Sequence, residues 1–196
     1  MTSKTIQVYE FLNVRFKMKR KAFFLDRDGV VVKQVHYLCE PEKTELEKNV
    51  AQAIRKLRQK GYMVIVVTNQ SGVARGKFTI EAVESVHRKI EELLAAENEK
   101  IDAFYICPHH PDFDGDCDCR KPAPGLILQA AQEHDIDISS SVMIGDKLSD
   151  VKCGENAGVK YSVLIATGYG SGERQKPESE NVLFVNDLEE AVEKYS

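Results

Sequence analysis

Long apolar segments are missing from this sequence of 196 residues. No run approaches the roughly 18 apolar residues of a membrane-spanning helix, and the N-terminal stretch MTSKTIQVYEFLNVRFKMKRK lacks the apolar core and cleavage site of a signal peptide. An excess of positive charge is missing too, because 27 lysines and arginines stand against 31 aspartates and glutamates. We therefore expect a soluble, cytoplasmic protein that has neither a nucleic acid nor a membrane as its partner.

Internal repeats and low-complexity linkers are also absent. A chain of 196 residues with 42% hydrophobic content is long enough for a sizeable core, so we expect residues 1–196 to form a single domain. Residues 1–20 are expected to be an N-terminal extension, because Met18 precedes a basic triplet and a strand and could itself be the start.

Strand-like and helix-like segments alternate along the chain. Short apolar runs predict strands at 22–25, 62–67, 103–106, 141–144, 161–165 and 182–185, and apolar residues at helical spacing predict helices between and after them. This alternation predicts an α/β fold, a doubly wound, Rossmann-like, mostly parallel sheet with helices on both faces. Two histidines among charged helical residues, His87 and His134, are expected at the surface.

Polar side chains follow four of the predicted strands. They are Asp26 and Asp28, Thr68 and Asn69, a Cys/His-rich segment from Cys107, and Asp146. The carboxyl ends of the strands in such a sheet lie at one edge, where ligands bind. Converging carboxylates need a cation, and oxygen ligands suit Mg²⁺. With a hydroxyl and a lysine nearby the site suits phosphoryl transfer, although the DRDG sequence on its own is as typical of a charged turn.

Three of the five cysteines lie in one short segment, CPHHPDFDGDCDCRKP, residues 107–122. An EF-hand is excluded because its glycine comes sixth and not fourth, and a reducing cytosol disfavours a disulfide. The remaining pattern, C-x-H followed by C-x-C, offers a closed Cys₃His set for structural Zn²⁺, with a loop of incidental thiols as the alternative. The expected ligands are Cys107, His109, Cys117 and Cys119, and we call residues 107–119 the zinc loop.

Four segments in this order, FFLDRDG, VVVTNQSGVARG, CRKP and IGDKLSD, resemble the four motifs of the HAD superfamily of phosphatases, over residues 21–168. The resemblance implies a Mg²⁺-dependent phosphoric monoester hydrolase. Asp26 would be the nucleophile that forms an aspartyl-phosphate, and Asp28 would be the general acid and base. A signalling receiver domain shares the sheet and the acidic pocket, but it has no need of Asp28 or of a zinc loop.

The same resemblance implies roles for further residues. Thr68 and Lys121 would hold the phosphoryl oxygens. Mg²⁺ would be bound by Asp26, Asp146 and the backbone carbonyl of Asp28. Arg27 is expected to point away from the reacting group, because neighbouring side chains on a strand alternate between faces.

The zinc loop, with no large cap domain, is typical of a small subgroup of the superfamily, and a monomer is expected. Within it, TNQSGVARGKF at 68–78, CPHHP and GDK resemble the heptose bisphosphate phosphatases, with the histidinol-phosphate phosphatases as the alternative. This resemblance implies hydrolysis of the C7 phosphate of a sugar bisphosphate in nucleotide-activated heptose synthesis for lipopolysaccharide or another surface glycan. The substrate-binding residues that it implies are Gln34, Val35, His36, Tyr37, Asn69, Gln70, Ser71, Arg120 and Lys147, with Arg120 on the distal phosphate. The segment at 34–37 keeps the tyrosine of that family's substrate loop but not its Asp-His-Gly.

Overall fold

One six-stranded parallel sheet organises the molecule, a computed structural model that describes residues 19–196. The strand order is β3-β2-β1-β4-β5-β6. The strands are β1 Lys21–Leu25, β2 Tyr62–Asn69, β3 Ala103–Cys107, β4 Val142–Gly145, β5 Tyr161–Ile165 and β6 Leu183–Val185. The predicted doubly wound sheet is thereby confirmed. The predicted extension lies, up to residue 18, outside the described residues, whereas the main chain of Arg20 pairs with Asp135 and Asp137 and so belongs to the folded part.

Helices cover both faces of the sheet. The helices are α1 Val50–Gln59, α2 Ile80–Ala95, α3 Pro111–Asp114, α4 Gly125–His134, α5 Leu148–Ala157, α6 Gly170–Glu173 and α7 Leu188–Tyr195. Buried residues of α1, α2 and α7 share one core cluster with one face of the sheet, and those of α4 and α5 share the other cluster. No large cap domain is present in this part of the chain.

The central strand β1 shows why the sheet is buried on both sides. Phe23 and Leu25 belong to one core cluster, while Ala22 and Phe24 belong to the other, and all four are fully buried. Period-two alternation of this kind produces two apolar faces when every residue is apolar. Because both faces are covered, the strand ends are the place where polar side chains can meet solvent.

The register of the sheet aligns those ends. Leu25 of β1 pairs with Val66 of β2 and with Ile144 of β4, so the residues after the three strands emerge side by side. Among residues 19–196, no helix is both long and apolar enough to span a membrane.

The prediction for His87 was wrong, because its side chain is only 6% exposed. It lies on the buried stripe of α2 with Val83, Val86 and Ile90, and its ring stacks on Phe104 with 4.3 Å between centroids. Burial, together with the charge of Arg27, lowers the pKa of His87 to about 3. The ring is therefore neutral, which is the form that an apolar core tolerates. His134 is half-buried.

Candidate active site

A cavity of about 160 Å³ opens at the carboxyl ends of β1, β2 and β4. The residues predicted from the sequence that line it are Asp26, Asp28, Gln34, Val35, His36, Tyr37, Thr68, Asn69, Gln70, Ser71, Lys121 and Lys147. Leu38, Phe78, Ser149, Asp150 and Tyr169 line it as well and were not predicted as site residues. A cavity of this size has room for a group as small as a phosphoryl group.

Lys121 brings a buried positive charge to the floor of the cavity. Its Nζ lies 2.7 Å from Oδ1 of Asp26 and 2.7 Å from Oδ1 of Asp150, and it donates to the carbonyl of Val67 at 2.9 Å. Burial alone would lower the pKa of Lys121, but the charges of Asp150 and Asp26 outweigh it and the pKa is raised. The ammonium is therefore charged at neutral pH and balances two carboxylates.

Asn69 fixes the position of the Lys121 backbone. Its side-chain amide donates to the carbonyl of Lys121 at 3.1 Å, and its Oδ1 accepts from the backbone N–H of Lys121 at 3.1 Å. These reciprocal bonds use one donor and one acceptor of the amide, so Asn69 positions Lys121 and still has a donor and an acceptor site left. Asn69 also lines the cavity, and its role in substrate binding stays a prediction.

Three carboxylates meet beneath the cavity. Asp26, Asp146 and Asp150 each offer an oxygen within 4.8 Å of the others, and all three side chains are buried. Asp150 is already engaged by Lys121 and by the backbone N–H of Lys147 at 3.0 Å. In contrast, Oδ1 of Asp146 is buried without a hydrogen-bond partner among the described residues.

The unpartnered oxygen of Asp146 fits a hard divalent cation. Burial first, and then the charge of Asp26, raises the pKa of Asp146 to about 7. A buried carboxylate of this kind is stabilised by a cation that supplies the missing positive charge. The predicted ligands Asp26 and Asp146 lie within the cluster of carboxylates that could hold Mg²⁺, and their role as ligands stays a prediction.

Two glycines and a backbone N–H hold Asp146 in place, and sequence reasoning missed them. Gly29 and Gly168 adopt positive φ angles of 81° and 57°, and a Cβ on either would overlap the Asp146 carboxylate. The N–H of Tyr169 donates to Oδ2 of Asp146 at 2.9 Å. The glycine-rich sequence after β5, ATGYGSG, was the available signal, but a backbone donor carries no mark in a sequence.

Arg27 is buried and is not among the residues that line the cavity, but it contacts the carboxylate of Asp28. Its Nε and Nη2 face both carboxylate oxygens of Asp28 at 2.9–3.2 Å. The prediction assumed strand alternation, but β1 ends at Leu25, and the carbonyl of Arg27 accepts turn hydrogen bonds from Val31 and Val32. In a turn, neighbouring side chains need not lie on opposite faces.

Gln70 contacts the same carboxylate from its other side. Its Nε2 donates to Oδ2 of Asp28 at 2.9 Å and to Oγ1 of Thr68 at 2.9 Å. Thr68 is buried at the end of β2. The amide of Gln70 is therefore bonded to two site residues; Gln70 also lines the cavity, and its role in substrate binding stays a prediction.

The predicted substrate loop forms one wall of the cavity. Tyr37 has a positive φ of 55°, which is uncommon for a residue with a Cβ, and its ring lies 6.1 Å from that of Phe78. A Cβ at Gly72 would overlap the Phe78 ring. Gly72 therefore leaves room for the ring of Phe78, which was not predicted as a site residue.

The far rim of the cavity carries a second cation. Nζ of Lys147 lies 4.8 Å from the ring centroid of Tyr169, a cation–π distance. Lys147 is half-buried and Tyr169 is 45% exposed. An anionic group that reaches the rim would meet Lys147 first.

The four predicted zinc ligands converge. Sγ of Cys119 lies 2.8 Å from Sγ of Cys107 and 3.3 Å from Sγ of Cys117, and 3.3 Å from Nδ1 of His109. A tetrahedral Zn²⁺ with bonds of about 2.3 Å separates its sulfurs by about 3.8 Å, so small side-chain rotations suffice to admit the ion.

The thiols of the zinc loop are not equivalent in acidity. Burial raises the pKa of Cys107 and of Cys119, while hydrogen bonds from Cys119 and Cys107 overcome burial and lower the pKa of Cys117 to about 7. Three thiolates this close repel one another unless a cation lies between them. The donor set therefore fits a structural zinc ion.

Arg120 lies outside the cavity. Its Nη1 donates to the backbone carbonyl of His109 at 3.2 Å, and its side chain is half-buried. Arg120 directly follows the zinc loop and precedes Lys121 in the sequence, but it is not among the residues that line the cavity.

Arg75 joins the loop after β2 to the zinc loop. Its Nη2 lies 2.7 Å from Nε2 of His110, and its guanidinium lies 5.1 Å from the ring centroid of Phe113. The backbone N–H of Ala74 also donates to the carbonyl of Pro108 at 3.2 Å. The two loops therefore form one packed unit beside the cavity.

Comparison with known proteins gives concordant matches. Residues 118–191 match the HAD-hydrolase-like family model. The chain is 43% identical to D-glycero-beta-D-manno-heptose-1,7-bisphosphate 7-phosphatase of Haemophilus influenzae, over 76% of this chain and 83% of that protein. It is 39% identical to the enzyme of the same name from Escherichia coli K12, over 88% of this chain and 94% of that protein.

A solved structure agrees with these matches. The D,D-heptose 1,7-bisphosphate phosphatase of B. bronchiseptica, complexed with magnesium and phosphate, superposes with a TM-score of 0.80 at 35% identity, covering 89% of this chain and 97% of that one. The corresponding enzyme of Burkholderia thailandensis gives a TM-score of 0.67 at 27% identity, covering 90% and 98%.

Proposed function

Because the chain belongs to the family of the D-glycero-D-manno-heptose-1,7-bisphosphate 7-phosphatases, within the HAD-like hydrolases, we propose that it hydrolyses the C7 phosphate of this sugar bisphosphate through an aspartyl-phosphate on Asp26. The observation that carries the proposal is the position of Asp26. Its carboxylate follows the central strand, lines the cavity and lies 2.7 Å from the Lys121 ammonium.

In the first step an oxygen of Asp26 attacks the phosphorus. The bond from phosphorus to the sugar oxygen breaks, and Asp28 gives its proton to that oxygen, so the alcohol leaves neutral. Lys121 and the Thr68 hydroxyl lie where they can contact the phosphoryl oxygens, over which negative charge is spread.

In the second step Asp28, now a carboxylate, takes a proton from water as the water oxygen attacks the phosphorus. The bond to Asp26 breaks and inorganic phosphate leaves, which restores both carboxyl groups. Mg²⁺, when bound by Asp26, Asp146 and the carbonyl of Asp28, supplies positive charge that offsets the repulsion between carboxylates and phosphate.

The remainder of the substrate extends over the rim. Lys147, and Arg120 directly after the zinc loop, are the cations available for the distal phosphate, and the segment 34–37 and Ser71 contribute the nearer walls. Zn²⁺, if bound by Cys107, His109, Cys117 and Cys119, would hold the zinc loop in shape and with it the adjoining Arg120 and Lys121. A cytoplasmic location and a place in lipopolysaccharide heptose synthesis are parts of the same proposal.

Regiochemistry and substrate choice test the proposal. Purified protein with Mg²⁺ should release phosphate from the 7-position of heptose 1,7-bisphosphate and leave the 1-phosphate, as ³¹P NMR of the product would show. Both anomers belong in the assay, because relatives include a beta enzyme in Haemophilus influenzae and an alpha enzyme in Photorhabdus laumondii. Equal or faster turnover of histidinol phosphate would transfer the assignment to that alternative.

Replacement of the nucleophile is the companion test. Asp26→Asn keeps the size of the side chain but removes the attacking charge, so kcat should fall by at least about three orders of magnitude. Undiminished activity would show that the chemistry takes place elsewhere.

A further inference from the structure

The guanidinium of Arg27 is a buried charge with one charged partner. Its side chain has no exposed surface, and within residues 19–196 its only ion pair is with Asp28. Burial of an arginine is costly unless hydrogen bonds and an opposite charge offset it. Because burying this charge is costly, its contact with Asp28 is expected to have a function.

The contact fixes the direction of the Asp28 carboxylate. Arg27 presents one edge of its fork, Nε and Nη2, to both oxygens at 2.9–3.2 Å. Gln70 donates to Oδ2 from the cavity side at 2.9 Å. A carboxylate held from two sides has one orientation, and it remains 16% exposed toward the cavity.

Arg27 is itself held from behind. Its Nη2 lies 3.5 Å from the carbonyl of Leu38, which directly follows the predicted substrate loop at 34–37. Its charge contributes to the lowered pKa of His87, so the two groups are close, and that ring is packed on Phe104 of β3. The guanidinium is thus placed by the core and not by the substrate.

We propose that Arg27, together with Gln70, is a positioning residue that holds the Asp28 carboxyl where it transfers a proton to and from the reacting oxygen. The inference rests on the proposed role of Asp28 and extends it, because it assigns the accuracy of proton transfer to a residue that never touches substrate. A positioned general acid contributes about 10²–10⁴ in rate, and this contribution depends on the leaving group.

Leaving-group dependence provides the test. A poor leaving group such as the sugar hydroxyl needs the proton, whereas 4-nitrophenolate leaves without it. Arg27→Lys keeps the charge but loses the fork, so kcat/KM for heptose 1,7-bisphosphate should fall about 10- to 100-fold, and that for 4-nitrophenyl phosphate less than about threefold. Equal losses for the two substrates, or no loss, would overturn the inference.

Two further measurements separate positioning from folding. Arg55→Lys is the matched control, because Arg55 forms an ion pair with Glu99 at 2.9 Å and does not line the cavity. Its kcat/KM for each of the two substrates should stay within about twofold of wild type. In an Asp28→Asn background, Arg27→Lys should add less than about a threefold loss, because nothing is left to position. A full additional loss would make Arg27 a structural residue only.

The outcome can be read even if Arg27→Lys does not fold. Gln70→Leu removes the second hydrogen-bond donor to Asp28. Its kcat/KM should also fall more for the substrate with the poor leaving group than for 4-nitrophenyl phosphate, and equal losses for the two substrates would overturn the inference. Comparing phenyl phosphate with 4-nitrophenyl phosphate needs no heptose substrate. Failure of wild-type protein on heptose 1,7-bisphosphate would therefore count against the proposed function, while the aryl series still decides the role of Arg27.

Discussion

At the scale of single residues, the site depends on buried polar groups that have no freedom to move. Lys121 contacts Asp26 and Asp150 at 2.7 Å, and Asp146 keeps one oxygen without a partner in the described chain. Such groups are costly to bury unless each is paired or awaits a ligand. Replacing one of these residues is therefore expected to change both the activity and the stability of the protein.

His87 should make the stability of the protein depend on pH. The ring is neutral in the folded protein because its pKa is lowered to about 3, whereas an unfolded histidine takes up a proton near pH 6.5. Protonation favours the unfolded chain, so the free energy of unfolding should fall by about 2 kcal/mol between pH 7 and pH 5 through this residue alone.

Urea unfolding at the two pH values measures this effect. His87→Phe keeps a ring against Phe104 but cannot protonate, so the variant should lose about 2 kcal/mol less than wild type over the same interval. An unchanged dependence in His87→Phe would show that the buried ring is not responsible.

Gly168 should be a determinant of magnesium affinity. Alanine at its φ of 57° is strained, and the added Cβ would overlap the carboxylate of Asp146. Gly168→Ala should therefore lower stability by about 1–3 kcal/mol and raise the Mg²⁺ concentration needed for half-maximal activity. Gly158→Ala has a similar φ of 83° but open space, so it should cost about 1 kcal/mol and leave the magnesium dependence unchanged.

At the scale of elements, the zinc loop is built as an extension of β3. Cys107 is the last residue of that strand and pairs with Asn69 of β2, so the first ligand is set by the sheet. The other three ligands follow in a segment with little regular structure. A metal ion in such a segment replaces the core that the loop lacks.

Loss of Cys119, the predicted zinc ligand nearest to Lys121 in the sequence, should loosen the zinc loop. Cys119→Ser should reduce zinc content, lower the thermal midpoint, and raise KM for the sugar bisphosphate about tenfold, with a smaller change in kcat. Cys39→Ser, which changes a cysteine outside the loop, should leave zinc content unchanged. Full zinc loss with unchanged kcat and KM would contradict the positioning role of the ion.

The elements also show how far the sequence could lead. Strand ends followed by DRDG, TNQ and GDK were sufficient to predict Asp26, Thr68 and Asp146 at one edge, because parallel strands impose that geometry, whereas Lys121 was predicted from the resemblance of CRKP. The contact between Arg27 and Asp28 was not predicted, because the strand ends at Leu25 and its alternation of side chains does not extend into the turn. The N–H of Tyr169 that holds Asp146 could not be predicted, since any residue provides a backbone donor.

At the scale of the whole molecule, the described surface carries no single apolar patch that would require a partner. Its exposed large hydrophobic residues are Phe113, Leu128, Tyr169 and Leu183, and they belong to four different elements or loops. Scattered apolar residues are normal on monomers. The edge strand β6 has only three residues, which limits pairing with another chain.

We therefore expect a monomer in solution. Light scattering after size-exclusion chromatography should give a mass near 22.1 kDa across a wide concentration range. A concentration-dependent species of twice that mass would show that an interface exists.

The paired amide bonds between Asn69 and Lys121 have a consequence for evolution and engineering. Residues 107–121 thereby form a loop that is attached to the sheet at both ends. Cys107 belongs to β3, and Lys121 is hydrogen-bonded to Asn69 of β2. Residues 111–116 at the tip of this loop are exposed, none of them lines the cavity, and Phe113 contacts Arg75. A peptide inserted at this tip lengthens a loop whose ends are already fixed. Each doubling of the loop length costs only about 0.6 kcal/mol in the free energy of loop closure. We therefore expect this tip to accept a tag, a reporter or a new recognition module.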